Sequence, residues 1–171
     1  MSTSNPAPMR KRLMSAETSR CQEYPSEINI TSLATFSYSS EAGDCPLEHL
    51  VDGHHGPGGT RWTGAQPNVT EHIELQFDPA QRISRLVYEV EERAAARTQE
   101  VRVEVSTDQG KTYRHVLIQD YTFSPRGATF QHEDLRLDLN AVTHVRLTIV
   151  PDKDGTGVAT LTSLQLFGPP I

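Results

Sequence analysis

The chain has 171 residues, of which 36% are hydrophobic and 22% are charged, and its formal net charge is -6. This length and composition predict one soluble globular domain that is large enough to bury a core. The acidic balance argues against a general binder of nucleic-acid backbones, because such a protein needs a basic face. No apolar run reaches the roughly 18 residues that a membrane-spanning helix requires, so the sequence predicts no span.

The first part of the chain, residues 1–27, is rich in Ser, Pro, Thr and charged residues and shows no apolar period. We expect it to be a disordered tail in front of a domain over residues 28–171. The segment over residues 9–14 is basic but short, and the N-terminus lacks the apolar stretch of a signal peptide. The sequence therefore predicts a cytoplasmic protein, in which Cys21 and Cys45 favour free thiols over a disulfide.

Strand signals begin directly after the tail. Residues 28–40 are rich in β-branched and aromatic side chains, which predicts a first strand. Residues 46–50 then predict one short helical turn. Residues 53–59 follow, and their Gly and Pro content indicates a loop of defined conformation rather than a helix or a strand. Trp62 follows this loop, and a lone Trp at such a place is typical of the core of a β-sandwich.

Beyond Trp62, short segments of alternating apolar and polar residues follow one another at close intervals. Asp78-Pro79 is predicted to end one of these strands, residues 108–111 predict a hairpin turn, and residues 121–128 predict a long loop. With no helix of ordinary length and no strand–helix alternation, the pattern favours an all-β sandwich or barrel. Including the first, about nine strands are predicted, the others over residues 73–77, 82–91, 101–105, 113–118, 129–130, 135–139, 145–149 and 159–168.

A period of two in apolar side chains places them on one face of a strand. Their alternation with polar residues is the pattern of a strand with one buried face. We expect the set that follows to face the core: Val101, Val103, Val105, Leu135, Leu137, Val145, Leu147 and Ile149.

Five short segments, in order over about residues 28–168, resemble the discoidin domain family (coagulation factor V/VIII type C, or F5/8 type C). They are Leu50-Val51-Asp52-Gly53 followed by Thr60-Arg61-Trp62; Ile73-Glu74-Leu75; residues 101–113 (VRVEVSTDQGKTY); His144-Val145-Arg146-Leu147; and residues 161–168 (LTSLQLFG). The resemblance implies a galactose-binding-like jelly-roll β-sandwich of eight or nine antiparallel strands, whose loops bind ligands without catalysis. Many members bind glycans, some bind lipid head groups, and intracellular relatives dock proteins.

The same resemblance implies where a structural calcium ion and a sugar would be held. In members with calcium, the residues that correspond to Asp52 and Thr60 help to hold the ion, with a glutamate near the last strand, where this chain has Ser163. Calcium takes six to eight oxygen ligands, so the loss of one carboxylate leaves the ion an open question. Arg93 corresponds to an arginine that contacts sugar in several glycan-binding members. The histidine that follows the tryptophan in those members is absent, because Thr63 stands there.

Candidate ligand-binding residues also follow from side-chain chemistry. Flat rings stack on the apolar face of a sugar, and Arg and Glu make paired, directional hydrogen bonds to hydroxyls. These residues would form one site if residues 91–97 and 121–127 lie together at one end of the sandwich; otherwise they are a solvated charged loop. The candidates are Tyr88, Glu91, Arg93, Arg97, Tyr121 and Arg126.

The histidines around the glycine-rich segment are further candidates. His54 and His55 could contact a ligand, or they could be solvated or packed on the rim of the loop. With His49 they could also hold a transition metal, but no Cys or further patterned ligand completes a zinc set.

Two functions fit these observations. The first is a non-catalytic carbohydrate-binding module, which the resemblance and Arg93 favour; it predicts a shallow polar cup with one exposed ring. The alternative is an intracellular protein-docking module on the same fold, which the lack of an export signal favours; it predicts an apolar patch of roughly several hundred Å². No Gly-x-Ser-x-Gly motif occurs, and we expect no enzyme activity.

Overall fold

The computed structural model describes residues 27–153, 155 and 157–169. Residues 1–26, which carry most of the predicted tail and Cys21, lie outside the described residues. Within them, a short helix α1 spans Ile30–Leu33 and a 3-10 helix spans Leu47–Val51. The strands are β1 Ala34–Tyr38, β2 Trp62–Thr63, β3 Glu71–Glu91, β4 Arg97–Ser106, β5 Arg114–Phe123, β6 Phe130–Val150, β7 Thr160–Leu161 and β8 Ser163–Phe167.

Two long strands, β3 and β6, run through both layers of a β-sandwich and pair with each other antiparallel. One layer has the order β1-β3-β6-β4-β5, and β8 adds to the other part of β3. Register shifts between Gln76 and Arg85 separate these two parts of β3. The short strands β2 and β7 form a small sheet of their own. The prediction of an all-β jelly roll is confirmed.

The predicted number and bounds of the strands were partly wrong. Asp78-Pro79 does not end a strand: pairing with β1 stops at Phe77 and the register with β6 shifts, but the chain stays extended. Pro79 has no N–H to donate, which disturbs the ladder without turning the chain. Residues 135–139 and 145–149 likewise belong to the single strand β6. Residues 159–168, predicted as one strand, instead form the two strands β7 and β8, because β7 pairs with β2 and β8 pairs with β3. The described residues thus form eight strands rather than nine.

The first strand is shorter than predicted, because part of residues 28–40 is helical. Asn29 caps α1: its side-chain oxygen accepts a hydrogen bond from the Ser32 N–H over 3.3 Å. Such a cap satisfies a free N–H of the first turn and favours helix over the β preference of the neighbouring residues. The strand itself begins only at Ala34. The helical turn predicted over residues 46–50 is confirmed by the 3-10 helix.

The core lies between the two layers and follows the predicted alternation. Trp62 is completely buried, as predicted, and its ring N–H donates to the Ser40 carbonyl over 3.1 Å. Leu135 and Leu137 are only half-buried and pack on the rim of the core. The other predicted core residues are buried: Val101, Val103, Val105, Val145, Leu147 and Ile149.

The hairpin turn predicted over residues 108–111 is confirmed between β4 and β5. The Asp108 carboxylate accepts hydrogen bonds from Ser106 Oγ over 2.7 Å and from the Thr112 N–H over 2.9 Å. Gln109 and Gly110 take positive φ angles of 65° and 78° where the chain turns between the two strands. Among the helices of the described residues, none is long and apolar enough to cross a membrane.

Candidate functional site

The glycine-rich segment, residues 53–59, is fastened to the end of β3 by two carboxylates. The Gly56 N–H donates to Glu89 Oε1 over 2.9 Å, and the Gly58 N–H donates to Glu91 Oε2 over 2.7 Å. Both glycines have a φ of 82°, a conformation that other residues rarely adopt. The loop therefore has a defined shape that depends on these two glycines and two glutamates.

Glu89 is buried and has further partners beside the loop. Ser163 Oγ donates to Glu89 Oε1 over 2.9 Å, and His132 Nδ1 lies 2.9 Å from Glu89 Oε2. Burial would raise the pKa of Glu89, but the hydrogen bonds from Gly56, His132 and Ser163 lower it below its ordinary value. Sequence reasoning missed this residue; its one signal was a carboxylate within the apolar run of residues 86–90, where burial demands partners.

Asp52 and Thr60 meet across the base of the same loop. The Thr60 hydroxyl hydrogen-bonds to Asp52 Oδ2, and the His54 N–H donates to Asp52 Oδ1 over 3.0 Å. The His54 ring Nδ1 lies 3.2 Å from the carboxylate. Burial would raise the pKa of Asp52, but the hydrogen bonds from Thr60 and His54 outweigh it and lower that pKa to about 2. Asp52 thus holds the loop as an ionised acceptor.

Arg93 projects into solvent beside this loop. Its side chain is 62% exposed, and its Nε lies 2.6 Å from Glu91 Oε1. Because Glu91 also accepts the Gly58 N–H, one carboxylate fixes the loop and orients the guanidinium. His54 and His55 are exposed on the same loop, so they, Glu91 and Arg93 are the four predicted ligand-binding residues that lie close to it.

The two predicted loops meet at one end of the sandwich. The Glu92 N–H donates to the Thr129 carbonyl over 2.9 Å, and Arg97 pairs with Phe123 across β4 and β5. Arg126 is exposed in the turn after β5, which the Ser124 N–H closes by donating to the Ala128 carbonyl over 2.8 Å. The connections over residues 92–96 and 124–129 are therefore neighbours.

The two predicted aromatic residues pack into the fold instead of standing open at this end. Tyr121 lies within β5 rather than in a loop, its hydroxyl donates to the Phe130 carbonyl over 3.1 Å, and its ring centroid is 4.7 Å from that of Phe123. Tyr88 is completely buried, with its hydroxyl accepting from Gln131 over 3.3 Å. The predicted loop over residues 121–128 was thus too long, because strand pairing with β4 continues to Phe123.

Arg97 is part of the framework rather than a free ligand contact. Its guanidinium donates to Glu92 Oε1 over 3.0 Å, to Gln99 Oε1 over 3.2 Å and to the Pro151 carbonyl over 2.6 Å. A Cβ added at Gly157 would lie 2.8 Å from Arg97 Cδ and Nη1. The chain after β6 therefore packs closely against Arg97 only because residue 157 is glycine.

An open groove of about 510 Å³ lies where these segments meet. We call it the Arg97 groove. Its lining combines apolar groups with polar ones, which include the hydroxyls of Thr98 and Thr122, 2.9 Å apart. Asp152 and Gly155 also line this groove, and no signal in the sequence indicated their place here. The lining residues are Ala95, Ala96, Arg97, Thr98, Thr122, Phe123, Asp152, Gly155 and Gly157.

A model of the F5/8 type C domain family matches residues 32–164. The chain belongs to the F5/8 type C domain family. The resemblance inferred from the five sequence segments is thereby confirmed. No curated protein matches the chain.

Several solved structures with the same fold are carbohydrate-binding modules. A family 32 module from a family 31 glycoside hydrolase of Clostridium perfringens has a TM-score of 0.61 and 19% identity, with 83% of this chain and 94% of that chain covered. The family 32 module of Clostridium perfringens NanJ, in complex with galactose, has a TM-score of 0.59 and 13% identity, covering 84% and 98%. Chitosan-binding module 1 from a Paenibacillus sp. IK-5 chitosanase/glucanase has a TM-score of 0.57 and 21% identity, with 82% of this chain and 99% of that chain covered. At these identities the likeness shows the fold alone.

The donor set of this F5/8 type C domain does not by itself fit a structural calcium ion. Asp52 and Thr60 provide one carboxylate and one hydroxyl, whereas calcium takes six to eight oxygens. Ser163 stands where calcium-binding members have a glutamate, and the neighbouring Glu89 carboxylate accepts from Gly56 and Ser163. Within residues 27–153, 155 and 157–169, no three His, Cys, Asp or Glu side chains cluster as metal ligands.

The remaining histidine and cysteine candidates have local roles in the fold. His49 Nδ1 lies 2.8 Å from the Arg61 carbonyl and so faces the backbone of the chain before β2. Among residues 27–153, 155 and 157–169, Cys45 has no disulfide partner. Its predicted alternative partner, Cys21, lies outside the described residues.

Proposed function

We propose that this F5/8 type C domain is a non-catalytic carbohydrate-binding module. The observation that carries the proposal is the Arg97 groove, an open hollow that combines polar and apolar groups at the end of the sandwich where residues 92–96 and 124–129 meet. Carbohydrate sites need convergent polar groups on a rigid scaffold. The paired strands β4 and β5 and the buried Arg97 network provide such a scaffold. Solved modules of the same fold that carry galactose add support.

Sugar recognition would use both sides of the connection between β3 and β4. On one side, Thr98 and Thr122 offer hydroxyls and Asp152 a carboxylate along the groove. On the other side, Arg93 offers a charged group with several donors, oriented by Glu91. Binding would be weak, since each sugar hydroxyl exchanges a bond to water for a bond to protein with a net gain of about 1 kcal/mol.

The alternative, a protein-docking module, would favour an apolar surface. Among the described residues, the exposed large apolar side chains are Tyr38, Val69 and Ile118, which lie on three different segments. A docking surface of ordinary size needs a contiguous patch of roughly several hundred Å². This distribution supports the carbohydrate-binding function over the alternative.

The ionisation of the carboxylates at the loop argues against a role as general acids. A carboxylic acid that donates a proton near neutral pH needs a raised pKa. The pKa values of Asp52 and Glu89 are instead lowered by hydrogen bonds that outweigh their burial. Both groups thus act as fixed acceptors for the backbone of the loop. The location in the cytoplasm stays a prediction from the sequence.

Titration with a panel of neutral, acidic and amino sugars, followed by NMR of the full chain, tests the proposal. We expect shifts that are confined to residues 92–98, 122–129 and 151–157 and that saturate with the sugar. The protein-docking function would be favoured instead if no sugar shifted these signals and a protein from a cell lysate were retained through the same surface.

A further inference from the structure

A second groove lies along β1, the edge strand of its layer and the strand farthest from β5 in the sheet order. It has a volume of about 230 Å³, and we call it the β1 groove. Its apolar side is formed by Phe36, Leu47 and Val51. The Tyr38 ring on the same strand is 47% exposed, so an aromatic face is open to solvent. This groove has no part in the carbohydrate site.

Two carboxylates give the β1 groove a negative rim. Glu41 accepts the Leu47 N–H over 2.8 Å and the Tyr38 hydroxyl over 3.4 Å, and Glu48 lines the groove from the 3-10 helix. The charge of Glu41, followed by smaller effects that include Glu48, raises the pKa of Tyr38. No Lys or Arg is among the lining residues. A ring beside two carboxylates suits an ammonium or guanidinium group with an apolar stem.

The sequence contains a segment with the complementary chemistry. Residues 9–14 read MRKRLM, three cationic side chains between apolar ones, and the proposed function does not use them. The chain from Met14 to Glu27 can span up to roughly 45 Å when it is extended. Glu27 bridges to Phe167, and Thr31 in α1 already lines the β1 groove. The segment is therefore tethered within reach of the groove, which raises its effective concentration there.

We propose that residues 9–14 of this chain dock in the β1 groove, with their cationic side chains at Glu41 and Glu48 and an apolar side chain against Phe36, Leu47 and Val51. Other basic peptides of the same pattern would compete for the groove. The contact is electrostatic and solvent-exposed, so it weakens as salt rises.

The test compares NMR spectra of the full chain and of its variant R10Q/K11Q/R12Q, with R20Q as the control. We expect the triple variant to shift the signals of Tyr38, Phe36 and Val51, and the control to leave them in place. Glu48→Gln should lower the bound-to-free ratio of the segment about 1.5- to 5-fold. Asp44→Asn is its matched control, since Asp44 is exposed in the same stretch but does not line the groove.

A synthetic peptide of residues 7–16, added to the triple variant, should restore the wild-type signals, and its Gln-substituted form should not. Unchanged Tyr38 signals in the triple variant would overturn the proposal. Shifts that appear only at high protein concentration would overturn it as well, because the occupant would then be the segment of a second copy.

Discussion

Glu89 of β3 and Ser163 of β8 lie opposite each other in the sheet, and the Ser163 hydroxyl donates to the Glu89 carboxylate over 2.9 Å. The family resemblance implies a glutamate at the position of Ser163 in members that bind calcium. Here a carboxylate reaches the same neighbourhood from the adjacent strand and accepts the Gly56 N–H of the loop. The loop is thus joined to the sheet by hydrogen bonds between protein groups.

Replacement of Glu89 should destabilise the domain. Glu89→Ala removes the acceptor of the Gly56 N–H and the Ser163 hydroxyl, and an unsatisfied buried group costs about 1–3 kcal/mol. Urea unfolding at pH 7 measures the loss, with Asp138→Asn as the control, because the Asp138 side chain is largely exposed. Equal stabilities of Glu89→Ala and the control would refute the role of Glu89.

The lowered pKa of Glu89 also predicts that its contribution to stability depends on pH. The pKa of Glu89 is lowered in the folded state, so its contribution is full above the ordinary glutamate pKa of about 4.3 and is lost as the pH falls through the folded value. The difference in unfolding free energy between wild type and Glu89→Gln should therefore shrink between pH 6 and pH 3. A difference that grows on acidification would contradict the assignment.

Asp52 should contribute to stability without an ion. Asp52→Ala removes the acceptor of the His54 N–H and the Thr60 hydroxyl, which should lower the melting temperature by several degrees, or about 1–2 kcal/mol. The melting temperature of wild type and variant is measured in calcium and in EDTA, and we expect the same loss in both. Calcium that stabilises wild type but not Asp52→Ala would show that the ion binds there.

The core is tested by a matched pair of substitutions on neighbouring strands. Val103→Asp buries an unpaired charge at a fully buried position and should cost several kcal/mol, of the order of 3 or more. Ile118→Asp on β5 should cost less than about 1 kcal/mol, because Ile118 is 57% exposed. Chemical unfolding of both variants gives the two values. Similar losses would mean that the faces of these strands are wrongly assigned.

The parts of the fold that depend on local pattern could be predicted from the sequence. Val101, Val103 and Val105 alternate within one strand, so their burial follows from the period of two. The continuity of β3 could not be predicted, because it depends on pairing such as Gln81 with Val142, which are distant in sequence. A proline between two apolar runs is compatible with either a turn or an irregular strand.

The sequence could predict those site residues whose role follows from their own side-chain chemistry. Arg93 and Glu91 were inferred from side-chain chemistry, and the structure brings them together. Arg97 has the same chemistry, but Glu92, Gln99 and Pro151 surround it, and only the tertiary fold reveals such partners. The sequence likewise carries no sign of the close approach of Gly157 to Arg97.

Gly157 should be required for the shape of the Arg97 groove. Gly157→Ala places a Cβ 2.8 Å from Arg97 Cδ and Nη1 and 3.2 Å from the Pro151 carbonyl, so the segment must move at a cost of about 1–3 kcal/mol. Gly43→Ala is the control, because a Cβ added there has no atom within 4 Å and Gly43 does not line the groove. Stability and sugar binding are measured for both; a harmless Gly157→Ala would contradict the packing of this segment.

The central claim, sugar binding at this end of the sandwich, is tested most directly by comparing two exposed arginines. Arg93 lies at the proposed site, and 62% of its side chain is exposed. Arg82 lies on β3 with 57% of its side chain exposed, and it pairs with Asp138 over 3.6 Å. A sugar that binds the wild type is titrated into Arg93→Ala and Arg82→Ala and followed by NMR. We predict a loss of about 1.5–3 kcal/mol of binding free energy for Arg93→Ala, with unchanged unfolding free energy, and wild-type affinity for Arg82→Ala. Equal affinities of the two variants would contradict the account.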